Sequence, residues 1–308
     1  MLAIELKNLS YTYSVKTPFE KRALDGVNLR IEEGEFVGLI GSTGSGKSTL
    51  IQHLNGLVKT QEGEVVVAGM NAREKKTLKT LRFKVGMVFQ YPEYQLFEDT
   101  VAKDVAFGPK NMKLEKDEVD RRVRRAMEVV GLPYDDFAER SPFELSGGEK
   151  RRAAIAGVIA MEPEILVLDE PVAGLDPAGR REILSLVRKL HEEVSPTVVM
   201  VSHYMDDIAE MADRIVALKD GKVVADGSPA EVFGDRESLA AAGLALPTAA
   251  RIVDRLAERG ITLSRTIVTP TQLADALSHY REDACAAVRN EAPDGEEEKE
   301  RSSGGENV

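Results

Sequence analysis

The stretch GSTGSGKS, residues 41–48, decides the fold because it fits the pattern G-x-x-x-x-G-K-[ST] at every fixed position. The apolar run FVGLI (36–40) precedes it, and STLIQHLNGL (48–57), with apolar positions at helical spacing, follows it. This strand–loop–helix context is what the pattern requires. Glycines let the backbone curl so that N–H groups point at phosphate oxygens, and the helix N-terminus adds its positive dipole. The stretch therefore predicts a nucleotide phosphate site.

The side chains of this loop predict particular contacts. We expect Lys47 to reach the β- and γ-phosphates, the Ser48 hydroxyl to coordinate Mg²⁺, and Thr49 to lie at the α-phosphate. The alternative is a chance glycine-rich turn, against which the flanking strand and helix argue. The predicted nucleotide-contacting residues are Gly41, Ser42, Thr43, Gly44, Ser45, Gly46, Lys47, Ser48 and Thr49.

A pair of carboxylates supplies the metal side of such a site. The run ILVLDE (165–170) is a short apolar segment typical of a buried strand, and it ends in two acids. Asp169 is expected to hold Mg²⁺ through its water shell, and Glu170 to act as the general base that polarises the attacking water. On its own, the pair would be interpreted as a polar strand end. Following a phosphate loop, it predicts a catalytic centre.

The hydrophobic pattern predicts an α/β protein. A helix, AGRREILSLVRKLHEE, separates the buried runs ILVLDE and TVVMVSH (197–203), which is the arrangement of a parallel sheet. Helical spacing dominates from about 101 to 160, and alanine-rich helix follows residue 235. The other predicted strands are LAIEL (2–6), VNLRIEEGEFVGLI (27–40), EVVVAGM (64–70), KVGMVFQ (84–90) and a hairpin, RIVALKDGKVVADG (214–227).

Composition narrows the class of protein. The 308 residues predict about two domains, and 43% hydrophobic with 30% charged residues is typical of a globular chain. No apolar run approaches the roughly 20 residues of a membrane span, and we expect no signal peptide in MLAIELKNLS. The single cysteine, Cys285, excludes an internal disulfide and a cysteine zinc site, and suggests a reducing cytoplasm.

Charge argues against nucleic acid as a partner. The formal net charge is −11, whereas nucleic-acid binding needs a strongly basic surface. Two short basic stretches stand out, RRVRRA (121–126) and EKRRAA (149–154). Both alternate with apolar positions at helical spacing, so we predict solvated helix faces.

The stretch LSGGE (145–149) separates the phosphate-loop classes. The order is phosphate loop, glutamine-ended strand, helical insert, LSGG, acidic strand end, then histidine. This order resembles the ATP-binding cassette (ABC) ATPases. The resemblance implies an α/β P-loop NTPase of the ABC ATPase type, with a RecA-like parallel-sheet core, an N-terminal antiparallel β subdomain and a helical subdomain. The usual signature ends in glutamine; here that position is Glu149, which weakens any role for the side chain.

The resemblance implies a head-to-tail dimer. ATP on the phosphate loop of one subunit would be capped by Ser146, Gly147 and Gly148 of the other, at a helix N-terminus that suits an anion. A glycine turn capping a helix is the alternative for LSGG alone. AGLD (173–176) resembles the D-loop, with Asp176 crossing the dimer seam.

Three more positions of this sequence match residues with known roles in the ABC ATPases. Gln90 resembles the Q-loop glutamine, a ligand shared by Mg²⁺ and the attacking water, and His203 resembles the switch histidine that hydrogen-bonds the γ-phosphate. Tyr13 resembles the aromatic residue that stacks on adenine, with Tyr11 as a competing candidate and a core aromatic as the alternative. The predicted catalytic residues are thus Glu170, His203 and Gln90, and the predicted metal ligands are Ser48, Gln90 and Asp169.

The segment FQYPEYQLFEDT (89–100) predicts a membrane partner. In ABC transporters the residues after the Q-loop glutamine form the groove for a membrane subunit's helix. A surface made of aromatic residues, the Leu96-Phe97 pair and acids suits a helix with an apolar side and basic residues. The alternative is that Tyr91, Tyr94 and Phe97 pack the helical insert. With TPFEKRALDGVNL, this segment resembles the ATPases of energy-coupling factor transporters, specifically the type with an intact catalytic glutamate.

The resemblance to energy-coupling factor ATPases also implies the other subunits of a complete transporter. It comprises a second ATPase, identical or similar, a transmembrane coupling subunit, and a small membrane protein that binds a vitamin or transition-metal ion. The chain would be an ATP- and Mg²⁺-dependent translocase at the cytoplasmic face of the cell membrane. Its implied divisions are a nucleotide-binding domain (1–235, helical subdomain about 91–160), a small C-terminal dimerisation domain (236–288) and an acidic disordered tail (289–308).

Other functions remain as alternatives. An ABC importer of another branch would share the phosphate loop and the signature, but it would have a different sequence in the segment after the Q-loop glutamine. A non-transport ABC protein predicts two cassettes, long coiled coils or a basic surface, and this sequence has one phosphate loop and a net charge of −11. A GTP-binding switch is excluded because the sequence has no N-K-x-D motif.

Overall fold

The computed structural model describes residues 1–291, which form two sheets. Strands occupy the regions where apolar residues alternate or run continuously. The strands are β1 (Leu2–Tyr13), β2 (Lys21–Glu32), β3 (Phe36–Gly41), β4 (Glu62–Val67), β5 (Met70–Asn71), β6 (Val85–Val88), β7 (Ile165–Asp169), β8 (Thr197–Val201), β9 (Arg214–Lys219) and β10 (Lys222–Gly227).

Helices fill the intervals between strands and the C-terminal part of the described chain. They are α1 (Lys47–Leu54), α2 (Leu78–Lys84), α3 (Val101–Val105), α4 (Phe107–Asn111), α5 (Lys116–Val129), α6 (Tyr134–Phe137), α7 (Gly147–Ile159), α8 (Pro177–Glu193), α9 (Met205–Met211), α10 (Pro229–Gly234), α11 (Arg236–Ala242), α12 (Thr248–Ala257) and α13 (Pro270–Glu291). Two short 3₁₀ turns lie at Pro92–Gln95 and Pro142–Glu144.

The larger sheet has six strands in the order β10-β9-β3-β8-β7-β6. All its neighbouring pairs run parallel except the predicted hairpin of β9 and β10, which is antiparallel. Alternate residues of β3 join different cores: Phe36 and Ile40 pack with the helices, and Val37 and Leu39 face the other sheet. Burial on both faces explains why this strand is continuously apolar.

The smaller sheet is antiparallel, in the order β2-β1-β4-β5. Ile4 and Leu6 of β1 are fully buried, while Lys7 and Asn8 are exposed. One face therefore covers α1 and the larger sheet, and the other faces solvent, as the alternation predicts. Strand β1 also places Tyr13 beside the phosphate loop, because Tyr13 pairs with Lys21 at the end of the β1–β2 ladder.

The two basic stretches, residues 121–126 and 149–154, differ in their exposure to solvent. On α5, Val119, Val123 and Met127 are buried, and the arginines of residues 121–125 form ion pairs on the outer side, so this stretch is a solvated face as predicted. On α7 the prediction is wrong for Arg151, which is only 2% exposed.

The C-terminal helices form a small apolar cluster of their own. Ala249 and Val253 of α12 pack with Ile267 and Leu273. The capping box that begins α13 is present, since the Thr269 N–H donates to Gln272 Oε1 and the Gln272 N–H donates to Thr269 Oγ1. The predicted acidic tail, 289–308, lies outside the described residues except for its first three, which continue α13. Within residues 1–291, no helix combines the length and apolar character needed to span a bilayer.

Candidate active site

The phosphate loop lies between β3 and α1, as the sequence predicts. Gly46, immediately before α1, has φ of 109°, in the left-handed region that L-residues avoid. A Cβ at Gly46 would lie 2.5 Å from the carbonyl oxygen of Ala23, so even an alanine has no room there. The backbone curl that turns N–H groups inward therefore depends on glycine at this position.

The Lys47 ammonium is held inside the loop. Its Nζ donates to the carbonyl oxygens of Gly41, at 2.7 Å, and Ser42, at 3.1 Å. Burial lowers the pKa of Lys47, and the nearby carboxylates of Glu170 and Asp169 oppose that shift. The loop and the acidic end of β7 are therefore close enough to interact electrostatically, so one phosphate chain can contact both.

Glu170 follows β7 in a strained backbone conformation. Its φ is 52°, and its N–H donates to the carbonyl oxygen of Val201 at 3.0 Å. The side chain is 8% exposed. Oε2 accepts a 3.4 Å hydrogen bond from the His203 N–H, and no group of residues 1–281, whose side chains the structure describes, donates to Oε1. His203 Nε2 lies 3.3 Å from Oε1 but is poorly aligned for a hydrogen bond. One carboxylate oxygen is thus left for a water.

Burial sets the ionisation of the three groups at the strand ends. It raises the pKa of Glu170 to about 7, with a further increase from the Asp169 charge, and it raises the pKa of Asp169. It lowers the pKa of His203, as does the Lys47 charge. His203 is therefore neutral at neutral pH, and Glu170 titrates where a general base works well.

The raised Glu170 pKa predicts a pH-dependent stability. Between the ordinary carboxyl pKa and about 7, native protein binds this proton and unfolded chain does not, so the free energy of unfolding falls as pH rises through that window. Since glutamine does not titrate, Glu170→Gln should stabilise the metal- and nucleotide-free protein at about pH 8 by up to about 3 kcal/mol relative to wild type. The measurement is denaturant unfolding in EDTA at both ends of the window. A difference between variant and wild type that is the same at about pH 5 and about pH 8 would contradict it.

Tyr13 and Tyr11 occupy different surroundings. The Tyr13 hydroxyl lies 3.1 Å from Thr49 Oγ1, and its ring lines a cavity of about 260 Å³ at the phosphate loop. Tyr11 packs edge-on against the buried His53 ring, with centroids 5.1 Å apart, and is not among the residues lining that cavity. The geometry therefore favours Tyr13 as the residue in reach of a base.

Lys21 also lines this cavity, and the sequence analysis missed it. Its Nζ lies 3.5 Å from the position that a Cβ on Gly44 would take, so the ammonium stands over the loop. The signal that could have found it is the antiparallel pairing of β1 with β2, which puts Lys21 opposite Tyr13. The exact register of two strands joined by a seven-residue connection is not readable from their apolar pattern, because β1 and β2 contain several register shifts.

The signature residues lie apart from the cavity of their own chain. Ser146 N-caps α7 through a capping box: its hydroxyl accepts from the Glu149 N–H, and Glu149 Oε2 accepts from the Ser146 N–H at 2.8 Å. These hydrogen bonds lower the pKa of Glu149. Ser146 and Gly147 are exposed, and neither they nor Gly148 line the phosphate-loop cavity. Glu149 thus has a capping role in place of the usual glutamine.

Asp176 is likewise exposed. Its carboxylate accepts from the Gly179 N–H at 2.8 Å and caps α8, and it does not line the phosphate-loop cavity. The structure therefore brings together Tyr13, the loop, Asp169, Glu170 and His203, and leaves the signature and Asp176 on open surface.

Comparison with known proteins decides the family. The family described as ABC transporter matches residues 24–173. A protein of Clostridium perfringens (strain 13 / Type A) named energy-coupling factor transporter ATP-binding protein EcfA2 is 52% identical over 277 residues, covering 90% of this chain and 97% of that protein. The chain belongs to the ATP-binding proteins of energy-coupling factor transporters. A protein of the same name from Symbiobacterium thermophilum is 51% identical, covering 90% of this chain and 96% of its own length.

Solved structures confirm the fold of this energy-coupling ATPase. The cbiO1 protein of Clostridium perfringens, described as part of the ABC transporter complex cbiONQ, matches with a TM-score of 0.70 and 37% identity over 83% of this chain and 99% of that one. A dimeric post-hydrolysis state of the ATP-binding cassette MJ0796, bound to ADP and Pi, matches with a TM-score of 0.64 and 34% identity over 73% and 98%. The predicted ABC fold, ATP as ligand and ATP hydrolysis are thereby confirmed.

In the segment after Gln90, the structure of this energy-coupling ATPase differs from one expectation about the docking surface. Gln90 is exposed, just beyond the end of β6 and next to β7 in the sheet. Leu96, interpreted as part of a docking surface, is 8% exposed and belongs to the core. Two aromatic residues close to it in sequence do face outward: Tyr94 is 85% exposed, and Phe97, which is 56% exposed, lines a groove of about 430 Å³. The alternating exposure arises because a short 3₁₀ turn turns one side of the segment inward.

Proposed function

We propose that this ATPase drives the import of a micronutrient, a vitamin or transition-metal ion, through a membrane coupling subunit bound at the groove after Gln90. The observation that carries the proposal is an apolar groove with the exposed ring of Phe97 on its rim, and the 85% exposed Tyr94 three residues earlier in the same segment after Gln90. Buried Asp104 accepts from the Phe97 and Glu98 N–H groups and holds this rim in shape. The chain would act as a peripheral protein at the cytoplasmic face of the cell membrane.

The loop and the two carboxylates suit magnesium as cofactor. Ser48, Gln90 and Asp169 offer a hydroxyl, an amide oxygen and a carboxylate, which are the hard oxygen donors that Mg²⁺ prefers. Burial raises the pKa of Asp169, a strain that a nearby cation relieves. Among the described side chains, residues 1–281, no cluster of His, Cys, Asp and Glu could hold a metal by itself, so phosphate and water would complete the coordination. The ion would neutralise charge on the β- and γ-phosphates.

Hydrolysis follows from the placement of the remaining side chains. Lys47 exchanges its hydrogen bonds to the loop carbonyls for phosphate oxygens and offsets their charge. The open Oε1 of Glu170 would accept a hydrogen bond from water and take its proton as the water attacks the γ-phosphorus. The bond from the γ-phosphorus to the β–γ bridging oxygen breaks in the same step, and ADP leaves with the electron pair. His203, neutral, hydrogen-bonds the γ-phosphate, and Gln90 helps to orient the water.

A second ATPase subunit would complete the site. The exposed N-terminal N–H groups of α7 at Gly147 and Gly148 have no partner within the helix, since the first N–H groups of any α-helix lack one. Together with Ser146 they suit a phosphate that arrives from another subunit. Asp176 would lie at the same interface between the two ATPase subunits. A small dimerisation domain, residues 236–288, would add to that interface. The partner can be a second copy or a similar ATPase, and a small membrane protein would bind the transported substrate.

The proposal is tested by photo-crosslinking from Tyr94 in native membranes. Tyr94 is a suitable probe position because its side chain is 85% exposed. Capture of a multi-span membrane protein, identified by mass spectrometry, is the expected result. Phe19, which is 82% exposed in the loop between β1 and β2, is the exposure-matched control and should not capture it. Capture of soluble protein or ribosome alone from Tyr94 would overturn the transport proposal.

The adenine assignment has its own test. Leucine at position 13 removes an aromatic face from the cavity, so Tyr13→Leu should raise the Kd for ATP about tenfold, the order expected for a stacked base. Tyr11→Leu, the same change two residues earlier on β1, should alter the Kd less than about twofold. Equilibrium binding of a fluorescent ATP analogue measures both variants. The reverse order of effects would assign the stacking to Tyr11.

A further inference from the structure

Arg151 of α7 is a buried cation with four hydrogen bonds to other parts of the chain. Its Nε and Nη2 donate to the two carboxylate oxygens of Glu93, at 3.1 Å and 2.9 Å. Its Nη1 donates to the carbonyl oxygens of Pro171, at 3.1 Å, and Ala173, at 3.0 Å. The side chain is 2% exposed, so these contacts are sheltered from water and salt.

The partners of Arg151 belong to two segments of the proposed catalytic centre. Glu93 lies in the 3₁₀ turn Pro92–Gln95, directly after Gln90 and beside the exposed Tyr94. Pro171 and Ala173 immediately follow Glu170. One guanidinium therefore joins the segment that carries Gln90 to the segment that carries Glu170.

A packing contact joins the same two segments a second time. Tyr91 has φ of 55°, which turns its ring onto Gly174, where an added Cβ would lie 3.1 Å from Tyr91 Cε1. Gly174 has φ of 74°, so the close approach and the backbone both call for glycine. The turn from 91 to 95 and the turn from 170 to 174 are thus held against each other by an aromatic ring and by the Arg151 hydrogen bonds.

We propose that Arg151 is a positioning residue for hydrolysis: it sets the position of the turn that carries Glu170 relative to the segment that carries Gln90. The inference rests on the function proposed above for Gln90 and Glu170. The bidentate pair fixes the direction of the guanidinium, and its third nitrogen fixes the carbonyls after Glu170.

A purely structural arginine would have different partners. Arg122 on α5 is such a residue: it is 15% exposed and bonds to Glu118, Glu162 and the Met161 carbonyl, all within the helical part of the chain. Arg151 shares that chemistry, two carboxylate bonds and backbone carbonyls, yet two of its bonds end on the turn that follows the catalytic carboxylate. This makes Arg122 a matched control.

The test compares Arg151→Lys, Glu93→Gln and Arg122→Lys in the full-length protein with ATP. Lysine keeps the charge but cannot reach the carboxylate and the carbonyls together, and Glu93→Gln weakens the pair while Arg151 stays. We expect kcat to fall at least about tenfold for both changes in the Arg151–Glu93 pair, with KM and the Kd for ATP within about twofold, well below the unfolding temperature. Arg122→Lys should lower Tm to a similar extent and leave kcat unchanged.

The outcomes separate this inference from the proposed function. If Arg151→Lys lowers only Tm, as Arg122→Lys does, Arg151 is structural and the inference is overturned. If KM and Kd rise with kcat unchanged, Arg151 acts on nucleotide binding and the inference is also overturned. Hydrolysis at the wild-type rate by Glu170→Gln would instead remove the role proposed for Glu170, whatever Arg151→Lys does.

Discussion

Replacing Glu170 with glutamine should lower ATP turnover by about a thousandfold, within the range that a positioned general base contributes. Glutamine keeps the size of the side chain and can still accept from the His203 N–H, so the turn after β7 should keep its shape. It cannot take a proton from water at the position where Oε1 of Glu170 is left open. ATP binding should be retained, because Lys47 and the loop are unchanged, and a closed dimer should accumulate with ATP bound.

The measurement for Glu170→Gln is single-turnover hydrolysis alongside equilibrium ATP binding and size-exclusion chromatography. Glu164→Gln is the matched control: Glu164 lies just before the other end of β7, pairs with Lys84, and is exposed, so turnover should not change. Normal hydrolysis by Glu170→Gln would remove Glu170 as the base. Loss of ATP binding together with turnover would show that the substitution damages the loop instead.

Replacing Lys47 with alanine should abolish nucleotide binding at concentrations that saturate the wild-type protein. The Lys47 ammonium is the buried cation of the loop, and a charge-assisted contact to phosphate is stronger than a neutral one. We expect the Kd for ATP to rise at least about a hundredfold, and residual turnover to fall further, because charge stabilisation supplies most of phosphoryl-transfer catalysis. Binding of a fluorescent ATP analogue, with Mg²⁺ in excess, measures the first effect.

Lys189→Ala is the control for the loss of a lysine that donates to a backbone carbonyl. Lys189 is half-buried on α8, and its Nζ donates to the Val129 carbonyl at 3.2 Å, away from the phosphate loop. Its removal should leave the Kd for ATP unchanged. Unchanged ATP binding by Lys47→Ala would contradict the phosphate-loop assignment, and equal losses in both variants would point to unfolding.

The strongest sequence predictions concern segments whose physics is local. A glycine loop between strand and helix, and apolar runs buried on both faces, depend on neighbouring residues, so GSTGSGKS, ILVLDE and TVVMVSH were placed correctly at one edge of the sheet. The buried side of the segment around Leu96 was not predicted, because a four-residue 3₁₀ turn is too short to show a period.

The burial of Arg151 could not be predicted from the sequence, for a different reason. Arg151, Ile155 and Ile159 are spaced four apart on one face of α7, and all three are buried. The spacing was visible in the sequence, but an arginine on an apolar face is ordinarily expected to extend to solvent. What keeps it inside is Glu93, which lies far away along the chain. A long-range partner for a charge has no periodic signal, so it becomes evident only in the fold.

The strand order has a consequence for how this protein is made. Strand β3, which carries the phosphate loop, has both of its neighbours late in the chain: Phe36 pairs with Val198, and Val37 pairs with Arg214. When only the phosphate loop and α1 have left the ribosome, β3 is therefore an apolar strand whose two edges have no pairing partner. Such edges are prone to aggregation, and pairing over a long loop is slow. The strand that carries the phosphate loop can thus gain both of its neighbours only after β9 has emerged.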